Sequence, residues 1–253
     1  MLFRSRIGLA TQSGAFGSAT YGAATLRGLG LSCAVATGNE ADVDVADCID
    51  YLSEDPATRV ICTALEACRD GNRLRAALLK AAAAGKPVVA MKVGRSEVGA
   101  AAAATHTGGL AGNDAVYDAV FAECGAVRAG SIDEMLDIAT LCDVMPQLPA
   151  GPRLGVLTSS GGIGVLMADE ADDASRGRIA LPPVPDAAAE RLRALLPFAV
   201  VANPYDTTAQ VTAVPNGIED ACDALLASGA YDTVVAYLAH VGLSPQRFAP
   251  MEA

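Results

Sequence analysis

Two stretches of this chain read as copies of one another. "IGLATQSGAFG" at 7–17 lies over "LGVLTSSGGIG" at 154–164, with Gly8/Gly155, Thr11/Thr158, Ser13/Ser160, Gly14/Gly161 and Gly17/Gly164 in register. Each passes from a short apolar strand through a Ser-Gly turn into a helix start. That order begins a βα unit, so the repeat commits the chain to a parallel α/β architecture begun twice.

The first copy continues in kind. Apolar runs at 7–11, 32–38, 60–66 and 88–93, and a short one around "AVRAG", read as strands. Helical patterns alternate with them, at 15–27, over "DVADCIDYLSED", at 71–84, after Asn113 or Asp114 as an N-cap, and over "SIDEMLDIATLCDVM". Five strands with single-helix crossovers fit a flavodoxin-like sheet of order 2-1-3-4-5. The chain is 52% hydrophobic and only 4% aromatic, so the core is built from Ala, Val, Leu and Ile, as buried parallel strands require.

"PQLPAGP" at 146–152 reads as a linker between a domain at 1–145 and a second at 153–253. The second is expected to run a helix to about 174, a short strand near "RIAL", a helix over "DAAAERLRALL", a turn at "NPYDTT", a helix at 217–227 and the strand "YDTVVAYL". Three strands in order 2-1-3 leave the last at an edge, with Val234, Val235 and Leu238 thinly covered. This reads as an incomplete, C-terminally truncated unit that self-associates through that edge.

A net charge of −11 and the lack of a basic run exclude a nucleic-acid surface. An anionic ligand must therefore be held by local groups such as helix N-termini. Seven scattered cysteines form no metal motif and fit a reducing compartment. With no signal peptide and no apolar run of membrane length, the expectation is a cytoplasmic protein with no membrane partner.

Three candidate sites fall at one edge of the sheet. The Ser-Gly turns, Ser13–Gly14 and Ser159–Ser160–Gly161–Gly162, place helix N-termini and hydroxyls where a phosphate binds; glycine needed only for packing explains the same residues. Glu66 ends the third strand beside the first, at the topological switch point, as a ligand group or as a solvated carboxylate opening a loop. His106 sits in the long connection from 94 to 112, between Thr105 and Thr107, after an alanine tract and before a run of glycines. Imidazole takes up and passes on a phosphoryl group at neutral pH, and a carboxylate such as Glu66 on its other nitrogen would fix the tautomer. A surface histidine is the bland alternative, and its setting between anion sites and a carboxylate outweighs that.

"SEVGAAAAATHTGGLAGNDAVYDAVF" resembles the phosphohistidine segment of nucleoside-diphosphate-forming acyl-CoA synthetases, the ADP-forming acetate–CoA ligases related to succinyl-CoA synthetase. "TQSGAFG", "TGNEADVDVADCIDYLSEDP", "LEACRDGNRL", "MKVGRS" and "NPYDTT" resemble that family's other signatures in the same order, over nearly the whole chain. The resemblance implies two flavodoxin-like, succinyl-CoA ligase-like domains and a phosphohistidine at His106 supported by Glu66. It places the phosphoryl group against the turns at Ser13–Gly14 and Ser160–Gly161. It also implies a CoA-binding Rossmann domain and an ATP-grasp domain or subunit as partners. The substrates would be a carboxylic acid, CoA, phosphate and ATP/ADP with Mg2+, with no tightly bound cofactor. Neither partner domain is legible in this sequence, and Tyr205 stands where the family more often has a small aliphatic residue. Two other readings are a non-catalytic effector-sensing domain of the type fused to protein acetyltransferases, and a nucleotide or flavin module. A sensor has no use for both His106 and Glu66, and the turns lack aromatic residues to stack a flavin.

Overall fold

Short Val- and Ile-rich runs bounded by glycine and proline make the strands, and polar N-caps start the helices between them. The computed structural model describes residues 3–96, 98–99, 101, 113–145, 147–172 and 179–238. Two compact units result, Met1–Leu148 and Pro149–Ala253.

In the first unit the order is β1 (Phe3–Thr11), α1 (Gly14–Leu26), β2 (Leu29–Ala36), α2 (Val45–Glu54), β3 (Val60–Leu65), α3 (Gly71–Ala83), β4 (Val88–Lys92), α4 (Asp114–Cys124), β5 (Val127–Arg128) and α5 (Ile132–Val144). The strands form one parallel sheet, β2-β1-β3-β4-β5, as the alternation implied. All six residues of β3 are buried, the signature of a central strand covered on both faces. Successive side chains of β1 point to opposite faces. Ile7 and Leu9 join Val60, Val89, Met135 and Ala139 in one cluster. Ala10 joins Ile49, Leu52, Leu74, Leu78 and Phe121 in the other. Helix starts are fixed by side chains that accept backbone N–H groups, from Ser13, Asp44, Asp70, Asn113 and Ser131.

The second unit runs β6 (Leu154–Thr158), α6 (Gly161–Asp172), α7 (Asp186–Leu195), β7 (Tyr205–Asp206), a 3-10 turn (Ala209–Ala213), α8 (Gly217–Leu226) and β8 (Thr233–Tyr237). Its parallel sheet has the order β7-β6-β8. Here two expectations fail. The described residues of "RIAL", 179–181, form no strand; Ala180 makes an isolated bridge to Arg153. Pro182, Pro183 and Pro185 follow at once and cannot donate to a ladder. The place beside β6 is taken by Tyr205–Asp206, inside the segment read as a turn. Tyr205 is fully buried, and its hydroxyl donates to Leu192 O at 3.4 Å. The cover of β8 also differs: Val234 and Leu238 pack against the cluster around Leu157, Leu192 and Tyr205, while Val235 stays exposed.

β7 is too short to serve all of β6, and a side chain completes the ladder. Asn203 Oδ1 accepts from the Val156 N–H at 2.9 Å, and its Nδ2 donates to Leu154 O at 2.8 Å and Pro182 O at 2.9 Å. Asn203→Ala strands these groups and is expected to cost the second unit about 2–4 kcal/mol. Urea titration followed by circular dichroism measures this. A loss below about 1 kcal/mol would mean that water replaces the amide.

Candidate active site

The first turn sits on a threonine. Thr11 ends β1, and its Oγ1 accepts from the Ser13 N–H at 3.3 Å and donates to Ser13 O at 3.5 Å. Ser13 Oγ caps α1 by accepting from the Phe16 N–H at 3.3 Å. The earliest N–H groups of a helix have no partner inside it, so those at Gly14 and Ala15 are the ones a bound anion would meet. At Gly14 the way is open, since a Cβ there would meet nothing within 4 Å. Gly17 is glycine because the Thr11 Cγ2 lies 3.1 Å from where its Cβ would be.

The second unit repeats the threonine arrangement. Thr158 Oγ1 accepts from the Ser160 N–H and donates to Ser160 O, both at 3.0 Å. Thr158 Cγ2 lies 3.1 Å from a Cβ on Gly164. The Thr37 N–H donates to Thr11 O at 2.9 Å, and the Thr207 N–H donates to Thr158 O at 2.8 Å. The copies differ at the helix start. Asp206 Oδ2 is 2.9 Å from a Cβ on Gly161, so at this glycine packing against a carboxylate excludes a side chain. Gly162 has open space around its Cβ position.

Glu66 lies one residue past β3, half-buried, in the place the switch-point argument assigned to it. The structure joins it to the Ser13 turn through Gln12. Gln12 Oε1 accepts from the Glu66 N–H at 2.6 Å and the Ala67 N–H at 3.0 Å. Gln12 Nε2 donates to Ala67 O at 2.9 Å and to Glu40 Oε2 at 2.7 Å. On the other side of β3, Lys92 Nζ donates to Glu66 O at 2.9 Å and to Val93 O. Lys92 is 3% exposed and lies 5.0 Å from the centre of the Tyr117 ring. Burial lowers the pKa of its ammonium group, with the charges of Asp114 and Glu66 opposing the shift. The sequence reading missed Gln12, Glu40 and Lys92. Lys92 left one signal, a cation inside the apolar run "VVAMKV".

His106 lies outside the described residues. The segment that carries it leaves β4 at Lys92, at the same carboxyl edge as Glu66, and re-enters the fold at α4. Its two stems are tied by charge. Arg95 Nε stands 3.9 Å from Asp114 Oδ2, and Arg128 Nη2 donates to Asp114 Oδ1 at 2.5 Å. The seven cysteines are unpaired, and no group of His, Cys, Asp or Glu suited to a metal occurs among the described residues. No helix among them is long and apolar enough to cross a membrane.

Fold and edge define a parallel α/β domain of the flavodoxin type, with a helix N-terminus and the Glu66 main chain meeting at the switch point. The chain belongs to the family described as succinyl-CoA ligase like flavodoxin domain, which matches residues 4–142. Acetate–CoA ligase [ADP-forming] I subunit alpha of Pyrococcus furiosus is 42% identical over 167 residues, 66% of this chain and 36% of that protein. Trans-feruloyl-CoA synthase FCS1, from an unknown prokaryotic organism, is 37% identical over 231 residues, 91% of this chain and 32% of that protein. The dinucleotide forming acetyl-coenzyme A synthetase 1 of Ca. Korarchaeum cryptofilum, solved with phosphate and ADP, superposes with a TM-score of 0.77 at 30% identity, covering 92% of this chain and 56% of that one. The chain thus spans about a third of the length of these two curated relatives.

The stem pair gives a pH signature. The hydrogen bond from Arg128 is the main cause holding the Asp114 carboxyl below the usual carboxylate range, with desolvation opposing. A depressed folded pKa means stability that is complete above the unfolded value, about 4, and lost as pH falls through the folded one. Asp114→Asn is expected to lower stability at pH 7 by up to about 1 kcal/mol, with the gap closing below about pH 4. Urea midpoints from pH 7 to 3 measure it; a gap that does not vary with pH would overturn the ion-pair account.

Proposed function

We propose that this chain is the phosphohistidine-bearing part of an NDP-forming acyl-CoA synthetase, an acid–thiol ligase interconverting carboxylic acid, ATP and CoA with acyl-CoA, ADP and phosphate. The observation that carries the proposal is the carboxyl edge of the first unit. There the α1 N-terminus, the Glu66 main chain and the exit of the His106 segment meet within one network of hydrogen bonds. Family membership and similarity to ADP-forming acetate–CoA ligases and a feruloyl-CoA synthase support it.

The chemistry follows from the residue types. Acyl-CoA and phosphate give acyl phosphate and CoA. A neutral imidazole nitrogen of His106 attacks the phosphorus, an N–P bond forms, and the carboxylate of the acid leaves with the electrons of the broken P–O bond. Glu66 accepts the other ring N–H and balances the charge of the phosphorylated ring. A terminal oxygen of ADP then attacks the phosphorus, the N–P bond breaks, and neutral imidazole is restored. The turn at Ser13–Gly14 holds the phosphoryl group in the first unit. We assign Ser159, Ser160, Gly161 and Gly162 to a second phosphate-binding helix terminus. The partners are an ATP-grasp domain or subunit that brings the Mg2+ nucleotide and a CoA-binding Rossmann domain. We also propose that the edge strand β8 serves association between copies and that the protein is cytoplasmic.

Mixing the chain with ATP, Mg2+ and a family ATP-grasp partner is expected to leave an acid-labile, alkali-stable phosphate that is absent from His106→Ala. Equal labelling of His106→Ala would defeat the proposal. Glu66→Gln keeps the shape and removes the charge. Losing one side of a charged hydrogen bond costs roughly 1.5–3 kcal/mol, about ten- to a hundred-fold in the phosphorylation rate. Rapid-quench kinetics measure it, and an unchanged rate would remove Glu66 from the mechanism.

A further inference from the structure

β3 ends at Leu65, so Glu66 is the first residue of its strand with no ladder to hold it. Both of its backbone polar groups are nevertheless bound, and by side chains. Gln12, just past β1, takes the Glu66 N–H, and Lys92, the last residue of β4, gives a hydrogen bond to Glu66 O. These residues flank β3 on its two sides in the sheet. Gln12 also takes the Ala67 N–H and donates to Ala67 O, so both backbone polar groups of the next residue are held as well.

The direction of the Gln12 amide is itself fixed. Its Nε2 faces Glu40 Oε2, and a carboxylate can only accept, so the oxygen end must face Glu66. Glu40 is 7% exposed, and its other oxygen accepts from the Val45 N–H at 2.9 Å and from Thr37 Oγ1 at 3.2 Å. Its own backbone lies in the left-handed region, with φ 53°, and Arg69 Nη1 donates to its carbonyl at 2.8 Å. The neighbourhood over-determines this conformation, as expected where a strained backbone serves a site.

We propose that Gln12 and Lys92 are positioning residues that hold Glu66 at the carboxyl edge, with Glu40 locking the Gln12 amide in the working direction. The proposal rests on the reading of Glu66 and His106 above. A carboxylate that must meet a ring N–H within about 2.6–3.2 Å cannot ride on a free strand end. A misplacement of about 1 Å costs up to a hundred-fold in rate. Side chains reaching across from the ends of the two neighbouring strands, the half-buried Gln12 and the buried Lys92, supply the missing restraint.

Gln12→Met keeps the volume and removes every side-chain hydrogen bond, and Glu40→Gln keeps the shape and removes the charge that holds Nε2. Both are compared with the parent chain by residue-resolved amide hydrogen exchange. The expected result is faster exchange at Glu66 and Ala67 by about ten-fold or more beyond any global change, larger for Gln12→Met. With ATP, Mg2+ and an ATP-grasp partner, phosphorylation per folded molecule is expected to fall about ten- to a hundred-fold with the KM for ATP unchanged. Lys92→Met is expected to act in the same direction. If Gln12→Met does not fold, Glu40→Gln carries the test. Unchanged exchange at Glu66 and Ala67 overturns the proposal, and so does a loosened Glu66 in a chain phosphorylated at the parent rate. A parent chain that takes no phosphate instead defeats the reading of His106, and the exchange measurement still decides the clamp.

Discussion

The approach of one threonine methyl to one glycine sets much of this structure. Thr11 at the end of β1 lies against Gly17, in the second turn of α1, at 3.1 Å from the position of an added Cβ. A Cβ at residue 17 would press on the Thr11 methyl, and helix or strand would have to give by a few tenths of an ångström. The same hydroxyl that ends the strand shapes the turn through Ser13. One residue thus decides both how close the helix lies and where its first N–H groups point. The repetition of this arrangement at Thr158, Ser160 and Gly164 shows that it is a unit of construction. Every feature of the candidate site in the first unit is placed relative to it.

Electrostatics at that edge run against the protein as a whole. A chain with a net charge of −11 repels anions at long range. The positive charge at that edge is short-ranged: the N-terminal end of α1 and the buried ammonium of Lys92. The ammonium is kept inside by three contacts, the carbonyls of Glu66 and Val93 and the face of Tyr117. Tyr117 stays neutral, its hydroxyl pushed up to about 12 mainly by burial. Such fields act over a few ångströms and are little screened, which suits a group that must be held and released rather than gathered from solution.

Much of the first unit was legible because its information is local. Apolar runs of β length, proline and glycine stops and N-capping side chains each act within a few residues, and together they give strand number and order. In the second unit the same reasoning failed at 179–181. The apolar pattern there is real, but the prolines beyond it remove donors, and the neighbouring place in the sheet went to Tyr205–Asp206. Glu66 could be placed because it ends a strand whose position was deducible. Gln12, Glu40 and Lys92 could not, since their partners lie 54, 28 and 26 residues away in sequence. A polar residue that works across such a distance leaves no period to read.

The two copies of the turn are not equal in chemistry. In register, Thr11 pairs with Ala64 of β3 and Thr158 pairs with Tyr237 of β8. Two residues past Ala64 comes Glu66, whereas two past Tyr237 the sequence has Ala239. The place of Gln12 is held by Ser159, whose N–H donates to Tyr237 O at 3.1 Å as the Gln12 N–H does to Ala64 O at 3.4 Å. Serine is too short to bridge two strand ends as glutamine does. The second copy therefore keeps the helix terminus, has Asp206 Oδ2 beside Gly161, and has no counterpart of Glu66 or Gln12 at the matching positions. The two helix starts repeat in backbone and differ in the side chains beside them, Gln12 in the first unit and Asp206 in the second. That asymmetry is why the proposed partner of a ring nitrogen falls in the first unit, while the second is proposed only as an anion site.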